Sequence, residues 1–290
     1  MLNSYASKLQ IDAQNDIIPH KRDLYYITEH EGGSDSIKLP DRVAVFNEDH
    51  YISTMALKSY ENLRSYRDFN DMIIKGITDY GMDLNNITVK EKTFENGGKF
   101  MKQIDFNDIV IRWNNDDFIL RLWLWTGYNL KWAEQFIFGP IVVICTNGLY
   151  HGAWKIKGMS KKNWSNKAQL SAVDITNALE AFNKLPEVLE PMARTTVSAD
   201  NVKHLFENTI AQIKDEIYPR VSDYRMRELS THWDMYKNRY GSNLWAVYQT
   251  ATHWASHPEG RGLKANKIRT RSEQVSGMLE SNDWNTLLAA

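Results

Sequence analysis

Hydrophobic positions in this 290-residue chain follow several successive rhythms, and each predicts a different kind of element. Over residues 1–48 the chain is polar and interrupted by Pro19, Gly32, Gly33 and Pro40, with short apolar runs such as 24–27 and 43–46. Such punctuation predicts an irregular arm holding one or two short strands. From Ser53 the spacing becomes helical. Met55, Leu63, Tyr66, Ile73, Ile77 and Tyr80 recur at intervals of three, four and seven, and Gly81 stands where a left-handed C-cap is wanted. This predicts a long amphipathic helix over 53–80.

The period then falls to two. Residues 87–94 and 99–106 flank Glu95, Asn96, Gly97 and Gly98, and an Asn-Gly pair between β-rich runs predicts a hairpin. Strands at 109–113 and 118–125, joined by Asn114, Asn115, Asp116 and Asp117, and an apolar strand after Pro140 bring an antiparallel meander to about five strands. Beyond Lys167 the helical period returns at 168–185, at 199–217 behind Ser198 as N-cap, at about 221–239 and at 243–256. Grouped strands followed by grouped helices predict an α+β fold: a long helix, a β-meander, then a helical C-terminal half. The expected organisation is an N-terminal arm (1–48), an α+β core domain with C-terminal helices (49–258) and a basic C-terminal tail (259–290).

Charge alters this picture by its distribution. Lys plus Arg number 35 against 36 for Asp plus Glu, so any anion site must be a local patch. One such patch stands out. Residues 135–173 contain no Asp or Glu, yet hold Lys155, Lys157, Lys161, Lys162 and Lys167 together with Tyr150, Trp154 and Trp164. Phosphate backbones need cations and unpaired bases need flat side chains to stack on, so this pattern points to single-stranded nucleic acid. In an extended segment Lys155 and Lys157 fall on one face, Trp154 and Ile156 on the other. A second acid-free stretch, 260–272, carries Arg261, Lys264, Lys267, Arg269 and Arg271. The bland reading is that both runs are solvated decoration and that the tryptophans cover a sheet edge.

Other chemistry is sparse. His253 and His257 share the i, i+4 spacing of helical zinc sites, but no third ligand is identifiable, and a packing or helix-end role is expected. Cys145, the single cysteine, ends the apolar run IVVIC and reads as buried and structural. No phosphate-cradling glycine motif is present, so neither ATP nor a dinucleotide cofactor is expected, and no metal. Asp105, Asp108, Asp116 and Asp117 are read at hairpin ends, where turn geometry favours them; a metal-dependent nuclease built on them is the weakest reading. No apolar stretch approaches membrane-spanning length, and the N-terminus lacks a signal-peptide pattern, so the expected location is the cytoplasm.

The segment CTNGLYHGAWKIK, with Cys145, Asn147 and Gly148, followed by GSNLWAVYQTATHWASH, with Trp245, Thr250 or Thr252 and His257, resembles the phage- and plasmid-encoded family of domain of unknown function 932. The likeness spans roughly residues 45–260 and implies kinship and mobile-element origin, with no catalytic role attached; Gln249 stands where that family usually has Asn. The element order is also loosely similar to phage single-strand annealing proteins of the Redβ and RecT kind, an analogy of fold. The resulting expectation is a non-enzymatic single-stranded-DNA-binding or annealing protein acting as a homo-oligomer. The alternative is a protein-interaction module directed at a host or phage protein.

Overall fold

The computed structural model describes residues 9–142, 158–159, 170–213, 220–258 and 264–290. After a short 3-10 turn at Ala13–Asn15 come β1 (His20–His30), β2 (Gly33–Asn47), β3 (His50–Ala56), α1 (Leu57–Glu61) and α2 (Tyr66–Tyr80). The meander follows as β4 (Ile87–Phe94), β5 (Lys99–Trp113), β6 (Asp116–Gly127), β7 (Gln135–Val142) and β8 (Gly158–Met159). Then come α3 (Ala172–Asn183), α4 (Leu185–Arg194), α5 (Ala199–Asn208), the two-residue strands β9 (Gln212–Ile213) and β10 (Arg220–Val221), α6 (Asp223–Tyr240), α7 (Leu244–Ser256), α8 (Lys264–Leu279) and α9 (Asn282–Ala289). The class is α+β. Three strands form one sheet in the order β1-β2-β3, and five form a second in chain order from β4 to β8.

Several boundaries differ from the sequence reading for physical reasons. The N-terminal arm is largely a long hairpin, because polar residues extend β1 and β2 where both faces meet solvent. The helix expected over 53–80 begins only at Tyr66. Ser53 and Met55 belong to β3, paired with Val45 and Val43, and Ser65 opens α2 by accepting a hydrogen bond from the Asp68 N–H at 2.9 Å. Gly81, at φ 84°, caps α2 as expected. The hairpin around Asn96-Gly97 is present, with Glu95, Asn96 and Gly97 all at positive φ. The expected strands 99–106 and 109–113 are one continuous β5, which turns into β6 through Asn114 and Asn115, both at positive φ.

Among the helices, α4 lies outside the expected elements and contains Pro186 and Pro191; Pro186 sits in the first turn, where its missing N–H costs nothing. The helix expected over 199–217 stops at Asn208, although Ser198 does cap it through the Asn201 N–H. The stretch read as a basic tail is helical from Lys264 onward, with Val275, Met278 and Trp284 buried.

The chain forms two compact units. One comprises Met1–Asp108, Arg121–Phe138 and Ile156–Asn177; the other comprises Ile109–Leu120, Gly139–Lys155 and Ala178–Ala290. In the first, the apolar face of α2 (Tyr66, Phe69, Ile73, Ile77) is fully buried, and Tyr66 stacks on Tyr128 at 4.2 Å and on Phe100 at 5.1 Å. The Tyr66 hydroxyl donates to the Gly97 carbonyl at 2.7 Å, which ties helix to hairpin turn. Burial pushes both phenols up. Lys102 is wholly buried. It donates to the Leu9 carbonyl at 2.6 Å and lies 3.0 Å from the Glu91 carboxylate, so a cation inside the sheet fastens the N-terminal segment. Burial lowers its pKa, against the pull of Glu91.

The second unit is centred on α7, which is buried almost all round. Trp245 meets Trp113 edge-on at 5.3 Å and Phe118 at 6.0 Å. Asp116 accepts from Arg239 and from the Tyr240 hydroxyl, both at 2.6 Å, which fixes the end of the β5–β6 hairpin to α6 within this unit.

Candidate nucleic-acid interface

The acid-free run starts on β7. Its described parts are Gln135–Val142 on β7, Gly158 and Met159 on β8, and residues 170–173 leading into α3. β8 pairs antiparallel with the start of β7, Phe136 opposite Gly158 and Gln135 opposite Met159. Leu170 is buried and lies against Gly76 of α2, so close that a Cβ added at Gly76 would stand 2.8 Å from the Leu170 carbonyl oxygen. The run is therefore tied down at three described points: β7, β8 and the α2 contact. Trp154, Lys155, Lys157, Lys161, Lys162, Trp164 and Lys167 fall between those points, outside the described residues, as do Arg261, Cys145, Asn147 and Gly148.

The same sheet carries cations outside the acid-free run. Alternation along β4 turns Lys90 and Lys92 to the exposed face while Glu91 points inward to Lys102. Cross-strand register puts Gln103 and Met101 of β5 beside them, half-buried. Next on that face Asp105 binds Arg121 through both guanidinium donors, buried, and the guanidinium lies 5.4 Å from the Trp123 ring centroid. Trp125, Trp132, Phe94 and Lys99 continue the layer: Trp132 meets Trp125 at 4.9 Å and Phe94 at 6.3 Å, and the Lys99 ammonium sits 4.9 Å from the Trp132 ring. These tryptophans are buried and act as packing. The signal for Lys90 and Lys92 was the period-two pattern itself, hidden because Glu91 breaks the run of positive charge in sequence but not on the sheet face.

The second basic segment contributes differently. Lys264, Lys267, Arg269 and Arg271 all lie on α8. Lys267 is half-buried. Arg271 is 12% exposed, bonds the Glu228 carboxylate at 3.0 Å and the Trp254 carbonyl at 2.7 Å, and stacks 4.2 Å from the Trp254 ring centroid. Its charge is neutralised inside the helical unit.

The histidines form a row. His253 lies between His232 and His257, ring centroids 4.3 and 4.5 Å away, and its Nδ1 is 2.9 Å from the Tyr236 hydroxyl. Burial, followed by repulsion from the two neighbours, lowers its pKa to about 4. No group of three or more metal-ligating side chains is found among the described residues. Asp105 and Asp108 lie within β5 rather than at hairpin ends. Asp116 and Asp117 open β6, held by Arg239 and Arg112 respectively.

An antiparallel sheet whose outer strand exposes Lys90 and Lys92, with an acid-free run that begins on β7, belongs to an α+β protein. The chain belongs to the family described as Domain of unknown function (DUF932), whose profile matches residues 99–283, from β5 into α9. No curated protein and no solved structure matches it, so the looser likeness to phage annealing proteins has no structural support. No helix among the described residues is long and apolar enough to cross a membrane.

Proposed function

We propose that the protein binds single-stranded DNA without sequence preference and assists annealing, in recombination or replication, without ATP. In this reading it is a phage- or plasmid-borne protein that works as an oligomer in the host cytoplasm. The observation that carries the reading is the run 135–173, in which five lysines and two tryptophans occur with no carboxylate to oppose a phosphate. Support comes from the anchoring of the described ends of the run on β7, β8 and α2, and from Lys90 and Lys92, exposed on the outer strand of the same sheet. Lysines track the backbone while Trp154 and Trp164 stack on bases, each stacked base contributing about 1–3 kcal/mol.

The test is the triple variant Lys157→Glu, Lys161→Glu, Lys162→Glu, titrated by fluorescence anisotropy against a labelled single-stranded oligonucleotide. Binding is expected to vanish at moderate salt, and unchanged affinity would remove the run from consideration. A second reading, a protein-interaction module aimed at a host factor, draws on a different observation. Tyr25, Tyr26, Ile27 and Ile37 are all at least half exposed on the β1–β2 hairpin. That reading expects no salt-dependent DNA affinity.

A further inference from the structure

The β1–β2 hairpin changes character halfway along. From His20 to Asp23 it is one side of a three-stranded sheet, because β2 is also paired with β3 from Arg42 to Asn47. The register then jumps: Asp23 faces Val43, but Tyr25 already faces Lys38. Beyond that irregularity six pairs, from Tyr25 opposite Lys38 to His30 opposite Gly33, form a two-stranded ribbon roughly 20 Å long. An isolated two-stranded ribbon is marginal in water. This one also exposes apolar side chains on both faces: Tyr26 at 59% and Ile37 at 59% form one cross-strand pair, while Tyr25 at 50% and Ile27 at 62% lie on the other face.

Charge indicates what covers it. Residues 23–41 hold five acids (Asp23, Glu29, Glu31, Asp35, Asp41) and one lysine, a net −4, so the rest of a chain whose total is −1 carries +3. Two ribbons repel each other, and a ribbon repels nucleic acid. A basic strand edge suits it. β4 is the outer strand of its sheet, with Lys90 and Lys92 exposed and Glu91 turned inward. Asn15 already accepts from the Thr93 N–H at 3.1 Å, and by strand alternation the Ile87 and Val89 N–H groups point the same way. No strand lies beside residues 87–90 among the described residues.

We propose that the β1–β2 ribbon is a dimerisation arm that docks on the β4 edge of a second copy of this chain. It adds a strand beside residues 87–90 and sets Glu29, Glu31 and Asp35 near Lys90 and Lys92. Two-fold symmetry makes the exchange reciprocal, so each copy gives one ribbon and receives one. The inference does not rest on DNA binding.

Sedimentation of the full chain with two surface variants tests it. One reverses the ribbon (Glu29→Lys, Glu31→Lys, Asp35→Lys), the other reverses the strand (Lys90→Glu, Lys92→Glu), and circular dichroism checks that both fold. The wild type is expected to dimerise. Each variant alone should weaken self-association at least about tenfold, and an equimolar mixture should recover the dimer because attraction returns at both contacts. A wild type that stays monomeric, variants that still dimerise alone, or a mixture that stays monomeric would overturn the proposal.

Discussion

At the scale of single residues, charge inside the sheet unit is held by specific partners, and removing one partner is costly. Asp105 and Arg121 are both nearly buried and bound through two donors. Asp105→Ala strands a buried guanidinium and should destabilise by about 3–5 kcal/mol in urea unfolding, whereas Asp105→Leu with Arg121→Met should recover most of the loss. This pair is not legible in the sequence, where the pattern divides β5 in two and Asp105 reads as a turn residue. His253 was legible as a packing residue, but its neighbour His232 lies 21 positions away and only the α6–α7 packing reveals the row. Its folded pKa of about 4 lies below the free value of 6.5, so the unfolded chain takes up a proton over that interval that the folded chain refuses. Stability is therefore full above pH 6.5 and falls as pH drops toward 4. Thermal unfolding at pH 7 and pH 5 should show a lower midpoint at pH 5, and His253→Gln should narrow the gap.

At the scale of elements, helices with a clear stripe and a cap were readable, and those defined by burial alone were not. Ser198 and Gly81 did the capping that their residue types suggest. Residues 264–279 carry a basic stretch that dominates the sequence impression, yet Val275 and Met278 bury that helix. Gly76 is the element-scale constraint closest to the candidate interface. Replacing it with Ala would raise helix propensity, but the added methyl must displace the Leu170 carbonyl, 2.8 Å away. We expect Gly76→Ala to destabilise by about 1–3 kcal/mol despite the better propensity. Because Leu170 is the last described anchor of the lysine run, the proposed function expects the variant also to weaken affinity for a labelled single strand in anisotropy. Ser198→Ala, a simple cap loss, should cost about 1 kcal/mol and leave binding untouched.

At the scale of the whole molecule, the near-zero net charge conceals segregation. The acidic ribbon, the cationic face of β4 and the acid-free run 135–173 are separate segments of one neutral chain. The α+β class was legible because strands and helices are grouped in sequence. The sorting of Lys90 and Lys92 from Glu91 needed the sheet, since adjacent residues in a strand face opposite ways. The proposed function requires the lysines of 135–173 to neutralise phosphates. The most direct measurement is wild-type affinity for a labelled single strand at several salt concentrations. If all five lysines engage, the log-log slope should lie near −3.5, at about 0.7 for each phosphate neutralised. Absence of binding even at low salt, or a slope near zero, would rule out a phosphate track on this run.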